Sequence, residues 1–242
     1  MKAHVHAGLH RALGLDASQL ADFGPDGLLL SDAGRALKRL RQRASKAGFE
    51  LRVASGYRNY QRQLAIFNAK AAGERVILDD NGHIVQRRGL SDKQLLTAIL
   101  RFSALPGVSR HHWGTDVDVW DPAAVGADYQ LKLTGEEYAA GGVFSAMSQW
   151  LDERIAADDA EGFFRPFVSD DGGVAPEAWH LSYREGARGL SALQSPGNLL
   201  PLWRGGEVAK RWGINAPVAL LAALEADIEG ILARFKVVDE LL

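Results

Sequence analysis

The stretch Ser109 to Pro122, SRHHWGTDVDVWDP, constrains this chain more than any other. Its second half, TDVDVWD (115–121), alternates polar and apolar residues, which predicts a β-strand with one face in a core and one face wet. Gly114, just before it, permits a sharp bend. Two adjacent histidines precede the bend, and Asp116, Asp118 and Asp121 follow it. Folding alone does not call for that mixture. The chain must bring a polar strand face against a loop of histidines, as a metal site, a substrate cleft or a plain polar turn.

Composition narrows the chemistry. There is no cysteine among the 242 residues, so disulfides and thiolate ligands are excluded and any metal must use His, Asp or Glu. The formal charge is -2 with no long basic run, which argues against a nucleic-acid partner. The length suits one large domain, or one domain with an appendage. No run approaches a membrane span. The first residues, MKAHVHAGLHRALG, lack the apolar stretch of a signal peptide, so the sequence as written predicts a cytoplasmic protein, with unusual export or release by lysis as alternatives.

Helices are expected over 31–48, with Ser31 as cap, over 59–73, from Asn59 to Gly73, and over 90–102, where Ser91 and Gln94 form a capping box. A fourth is expected over 141–157. Strands are expected at 50–55, 115–121, 162–168 and 178–183, and Asn81-Gly82 marks a hairpin within 75–88, either a lid or decoration. The residues 214–235 predict one long helix with Asn215 as cap and Pro217 in its first turn, its Ala/Leu stripe a packing face or a dimer contact. No regular βαβ repeat is present, so the expected class is α+β: a small central antiparallel sheet flanked by helices. The domain occupies 1–185, with 186–242 as a helical C-terminal extension packed on it.

A catalytic zinc commonly takes three protein ligands. His111 on a loop and Asp118 on the strand converge if the chain bends at Gly114. Of the other histidines, His180 stands out because it follows Pro-Glu-Ala-Trp, which puts Glu177 three residues before it. A carboxylate beside the metal, but not on it, is what metal-assisted hydrolysis needs. Arg58, in SGYRNYQRQ, can grip an oxyanion or carboxylate with two parallel donors, or serve as a plain surface ion pair. His112 reads as a wall residue or an outer partner rather than a ligand, since neighbours on an extended chain point apart. Trp113 and Trp179 either line the cleft or pack in the core, and Tyr57 packs or reaches substrate. His4, His6 and His10 read as a polar N-terminal segment rather than a second metal site.

The pattern Ser-x-His-x-x-Gly-x-x-x-Asp, followed later by Glu-x-x-His, resembles the zinc D-Ala-D-Ala carboxypeptidases and dipeptidases of the VanY/VanX type, in the wider group that includes lysostaphin-like peptidases and hedgehog domains. SGYRNYQRQ, LPGVSRHHWGTDVDV, GFFRPF and EAWH carry the resemblance over roughly 50–184. It implies one zinc per chain on His111, Asp118 and His180, Glu177 as general base and acid, Arg58 stabilising the tetrahedral intermediate, and Ser109 and Gln63 in the substrate site. It implies a peptidoglycan stem peptide or muropeptide as substrate. Three positions depart from the pattern or refine it. Asp116 stands where the family has a small residue, and is either an outer partner or a competing ligand ranked behind Asp118. Ala178 stands where Pro is commoner. Ser55 stands where the dipeptidase branch places an acid, which favours a carboxypeptidase on longer peptides. D-alanyl-D-alanine carboxypeptidase action is the expectation; L,D-carboxypeptidase action, lysin-like endopeptidase action and a non-catalytic wall-binding module are the alternatives.

Overall fold

The computed structural model describes residues 2–80 and 82–236, with side chains from residue 7 onward. His4, His6 and Asn81, which carried expectations above, lie outside the described residues or side chains. His10 is described, and its ring packs 4.5 Å from that of Trp212.

The fold is α+β. Strands β1 (Leu20–Asp22) and β2 (Leu28–Leu30) form a small antiparallel pair. The central sheet contains β3 (Arg52–Ser55), β4 (Asp116–Trp120), β5 (Phe163–Phe164) and β6 (His180–Tyr183), in the order β3-β4-β6-β5 with every pairing antiparallel. The helices are α1 (Lys2–Ala12), α2 (Ser31–Lys46), α3 (Tyr60–Ala72), α4 (Asp92–Leu100), α5 (Gly135–Tyr138), α6 (Ser145–Ala156), α7 (Arg184–Ala187), α8 (Pro196–Trp203), α9 (Glu207–Lys210), α10 (Leu221–Ala226) and α11 (Ile228–Phe235).

Strand alternation sorts the central sheet into two faces. Val117, Val119 and Leu181 point to one side, where they pack with Leu37, Leu40 and Ala44 of α2 and with Met147 and Leu151 of α6. Asp116, Asp118, His180 and Ser182 therefore point to the other. The register sets Ser55 opposite Asp118, and Asp118 opposite His180, so these three side chains form one row across three strands.

A second core lies between α3, α4 and the C-terminal helices, where Phe67, Leu96 and Ile99 pack with Leu199, Trp203, Leu224 and Leu232. The indole of Trp203 donates to the Pro106 carbonyl at 2.8 Å. Residues 199–235 of the C-terminal segment thus share a core with α3 and α4.

The capping signals act as expected at α3 and α4. Asn59 accepts from the Arg62 N–H, Gly73 ends α3 at φ 86°, and Ser91 and Gln94 cap each other. Four elements differ. Ser31 is the first helical residue of α2 rather than its cap, because β2 runs directly into the helix and the Leu30 N–H is held by the Gly114 carbonyl at 2.7 Å. The expected strand at 162–168 pairs only over Phe163–Phe164, since Pro166 has no N–H to give a ladder. Among its described residues the hairpin segment forms no regular strand pair, only a bridge at Leu78 and Ile84. The long helix expected over 214–235 is broken. Leu220 is left-handed at φ 58°, and at Asp227 (φ -152°) the chain leaves helical geometry before α11 begins. A Cβ on Gly230 would meet the Asp227 carboxylate at 2.4 Å, so Gly230 leaves room for that group over the first turn of α11.

Candidate active site

A one-turn 3-10 helix, Arg110–Trp113, presents the two histidines in different directions. It ends at Gly114, where φ is 68° and a Cβ would sit 2.4 Å from Leu20 Cδ2; both conformation and space require glycine. His111 faces the open side of the sheet. His112 is sealed behind it: its Nε2 accepts from the Gly107 N–H at 3.0 Å, so its Nδ1 carries the proton and donates to the Arg58 carbonyl at 2.6 Å. The Arg58 N–H in turn donates to the His111 carbonyl at 3.1 Å. His112 thus locks the loop that carries Arg58 onto the loop that carries His111.

His111, Asp118 and His180 converge, with one donor atom from each lying within 4.8 Å of the others. His111 Nε2 is 3.3 Å from Asp118 Oδ2, and His180 Nδ1 is 3.1 Å from Asp118 Oδ1. Asp118 Oδ1 and His180 Nδ1 are both buried and neither makes a hydrogen bond. Burial, aided by Arg58, keeps the proton affinity of His111 low and leaves its lone pair free. Burial also favours neutral His180, yet Asp116, Asp118 and Glu177 outweigh it and hold the imidazole well above the usual histidine range. Three carboxylates pressing on one imidazole, around two orphaned buried donor atoms, are the chemistry of a cation site. Two imidazoles and one carboxylate fit zinc.

Asp116 is fully buried and does not join the ligand cluster. It accepts from Thr115 Oγ1 at 2.5 Å and Arg110 Nε at 2.8 Å, and it lies 2.9 Å from His180 Nε2. Burial pushes its carboxyl up, but Arg110, His180 and Thr115 win and keep it ionised. It therefore holds the far nitrogen of His180 and turns Nδ1 toward Asp118. Arg110, which sequence reasoning passed over, is buried too. It bonds Ser182 Oγ at 2.6 Å and lies 4.3 Å over the Trp113 ring. Its signal was in the same motif, a basic residue six positions before an acidic one.

Glu177 enters on a turn closed by the His180 N–H donating to its own carbonyl at 3.1 Å. Its Oε2 is 3.3 Å from His180 Nδ1, beside the cluster. Arg58 donates to Ser55 Oγ from Nη2 at 2.7 Å and to Asp118 Oδ2 at 3.3 Å. Among the described residues its Nη1 makes no hydrogen bond.

All of these ligands, with Glu177, Arg58, Ser109 and Trp179, line one cleft of about 660 Å³. Its walls come from the hairpin near Leu78 and Gly82, the 102–104 loop, the 132–136 loop, the 174–176 segment and Phe235 of α11. The hairpin is a wall of the cleft. Trp179 also packs 5.6 Å from Tyr138. Gln63 and Tyr57 are not brought to the cleft lining. Gln63 is buried on α3 and donates to the Ala104 carbonyl at 2.7 Å, fixing a wall loop from behind. Tyr57 is half-buried, which raises its phenol, and the Asp16 charge adds to that.

Two proteins of Haemophilus influenzae, both of uncharacterized role, align with this chain. One is 37% identical over 103 residues, covering 42% of this chain and 76% of its own length; the other is 44% identical over 77 residues, covering 32% and 53%. Similar solved structures include VanYB in complex with D-alanine-D-alanine (20% identity, 86% of this chain and 88% of that one, TM-score 0.48) and the LD-carboxypeptidase LdcB (24%, 73% and 72%, TM-score 0.48). The D-alanyl-D-alanine carboxypeptidase family VanY matches residues 27–186, from β2 through the end of the sheet, with the cluster inside the match. This chain belongs to the VanY D-alanyl-D-alanine carboxypeptidase family.

Proposed function

We propose that this chain is a zinc-dependent D-alanyl-D-alanine carboxypeptidase acting on peptidoglycan stem peptides. The observation that carries the reading is the convergence of His111, Asp118 and His180, with Glu177 and Arg58 both beside them. Zinc would be held by those three ligands and would supply Lewis-acid polarisation of the scissile carbonyl and a lowered pKa for water. Glu177 takes a proton from the attacking water as the C–O bond forms to give the tetrahedral intermediate, and passes it to the amine nitrogen as that intermediate collapses and the C–N bond breaks. Arg58 is held by Ser55 and Asp118, which leaves Nη1 to donate to the oxyanion. Asp116 keeps His180 oriented. Ser55 accepts from Arg58 and carries no charge for a substrate amino group, which supports a carboxypeptidase over a dipeptidase.

The test is digestion of purified pentapeptide and tetrapeptide muropeptides by zinc-loaded protein, with products weighed by mass spectrometry. Loss of one D-alanine from the pentapeptide is expected. Tetrapeptide trimming without pentapeptide trimming would replace the reading by L,D-carboxypeptidase action. Binding without any cleavage would replace it by a recognition module.

A further inference from the structure

Six carboxylates line the cleft, Asp79, Asp80, Asp118, Glu136, Asp170 and Glu177, so what distinguishes a cation there is whether it is paired. Five cationic side chains line it, namely Arg58, Lys70, Arg101, Arg110 and Lys132. Arg110 is engaged by Asp116 and Ser182, and Arg101 by Asp80 and Asp170. Arg58 is held by Ser55 and Asp118. Lys132 is exposed at the rim. Lys70 differs from all four. It is half-buried on α3, seven residues and two turns beyond Gln63, on the helix face that supports the cleft. Among the described residues its Nζ makes no hydrogen bond and no ion pair.

That arrangement costs free energy in the empty protein. Burial lowers the proton affinity of Lys70, the positive charges of Arg75 and Arg58 lower it further, and Glu177 only opposes them. A half-buried ammonium without an anion is retained at a cost that an incoming carboxylate would remove. The site already has donors for a developing oxyanion in Arg58, so the unpaired ammonium of Lys70 is left for a different, permanent negative charge.

We propose that Lys70 is a specificity-determining residue that takes a free carboxylate of the substrate peptide. The inference rests on the peptidase reading of the same site and adds a substrate class to it: peptides with a carboxylate within reach of the scissile bond. Two groups of a stem peptide offer that chemistry, the C-terminal carboxylate and a side-chain carboxylate upstream of the bond.

The test compares three peptides ending in D-Ala-D-Ala: one with both carboxylates free, one amidated at the C-terminus, and one amidated at the upstream side chain. Each is given to zinc-loaded wild type, Lys70→Met, Lys70→Gln and Lys70→Arg, with zinc content and Tm recorded for all four. The wild type is expected to prefer the free peptide over one amide by roughly ten- to a hundredfold in kcat/KM, the size of one charge-assisted hydrogen bond. In Lys70→Met and Lys70→Gln that preference falls toward one, with the loss on KM rather than kcat, and Lys70→Arg recovers part of it. The amide whose discrimination disappears identifies the carboxylate that Lys70 holds. If folded, zinc-loaded neutral variants keep the wild-type preference, or if wild type shows no preference, the assignment is overturned while the peptidase reading stands. If wild type cleaves none of the peptides, the peptidase reading fails and the assignment falls with it.

Discussion

On the floor of the cleft, Arg110 lies against Asp116, the two being 5% and 0% exposed; on its wall, Arg101, whose side chain is 16% exposed, lies between Asp80 and Asp170, whose side chains are 58% and 48% exposed. Both places use an arginine gripping acids, and only the dielectric around them differs. Removing one partner of a buried pair leaves a stranded charge and costs about 3–5 kcal/mol, whereas an exposed pair is worth about 0–1 kcal/mol. The floor is therefore a fixed frame around His111, Asp118 and His180. The wall pairs tie the hairpin to the loop before Glu177 and can be remade at little cost.

The largest test of that contrast lies at the reacting centre. Glu177→Gln should lower kcat by roughly 10²–10⁴-fold while zinc stays bound, read by single-turnover kinetics and metal analysis. Full activity in that variant would remove Glu177 from the mechanism. Asp116→Asn should weaken zinc by roughly 10–100-fold, measured by competition with a chromophoric chelator. Unchanged affinity would mean that Asp116 does not orient His180. Asp116→Ala strands Arg110 and should cost about 3–5 kcal/mol in denaturant unfolding.

His112 tests the floor by pH. Burial lowers its pKa to about 4 from an ordinary 6.5. As pH falls through that window the unfolded chain takes up a proton that the folded chain refuses. Its contribution is fully present above 6.5 and is lost on the way down to about 4, amounting to about 3 kcal/mol. His112→Asn keeps a donor near the Arg58 carbonyl and cannot be protonated, so the acid limb of its Tm profile should be shallower than in wild type. Identical limbs would contradict the assignment. The smallest effect is expected at the wall, where Arg101→Ala should cost less than about 1 kcal/mol. A cost equal to that of Asp116→Ala would erase the distinction between wall and floor.

The floor was legible in the sequence except for Arg110, whereas of the wall only the hairpin was singled out. The alternation in TDVDVWD put Asp116 and Asp118 on one face, Gly114 marked the bend that sets His111 apart from the strand, and the spacing to His180 singled out Glu177. The wall draws on five separated segments with no shared motif, so neither Phe235 nor the 132–136 loop announced itself. Gln63 shows the limit of a motif. Its position beside the arginine loop suggested substrate contact, but its amide supports Ala104 from behind. The helix expected over 214–235 shows another limit, because periodicity continues across Asp227 while the backbone does not.

By itself the sequence determined the ligand types, the strand face they occupy and the bend at Gly114, because a two-residue period and a positive φ are properties of the local chain. The tertiary structure decided between the two readings of Asp116: Asp118 lies in the cluster, as the resemblance implied, while Asp116 holds His180 from behind. Both lie on the same face of β4, two residues apart, and only the register against β6 distinguishes them. It also decided which cations are matched. Arg110 and Lys70 look alike as letters, but one faces a buried acid and the other an open cleft, and pairing is set by packing between elements distant in sequence.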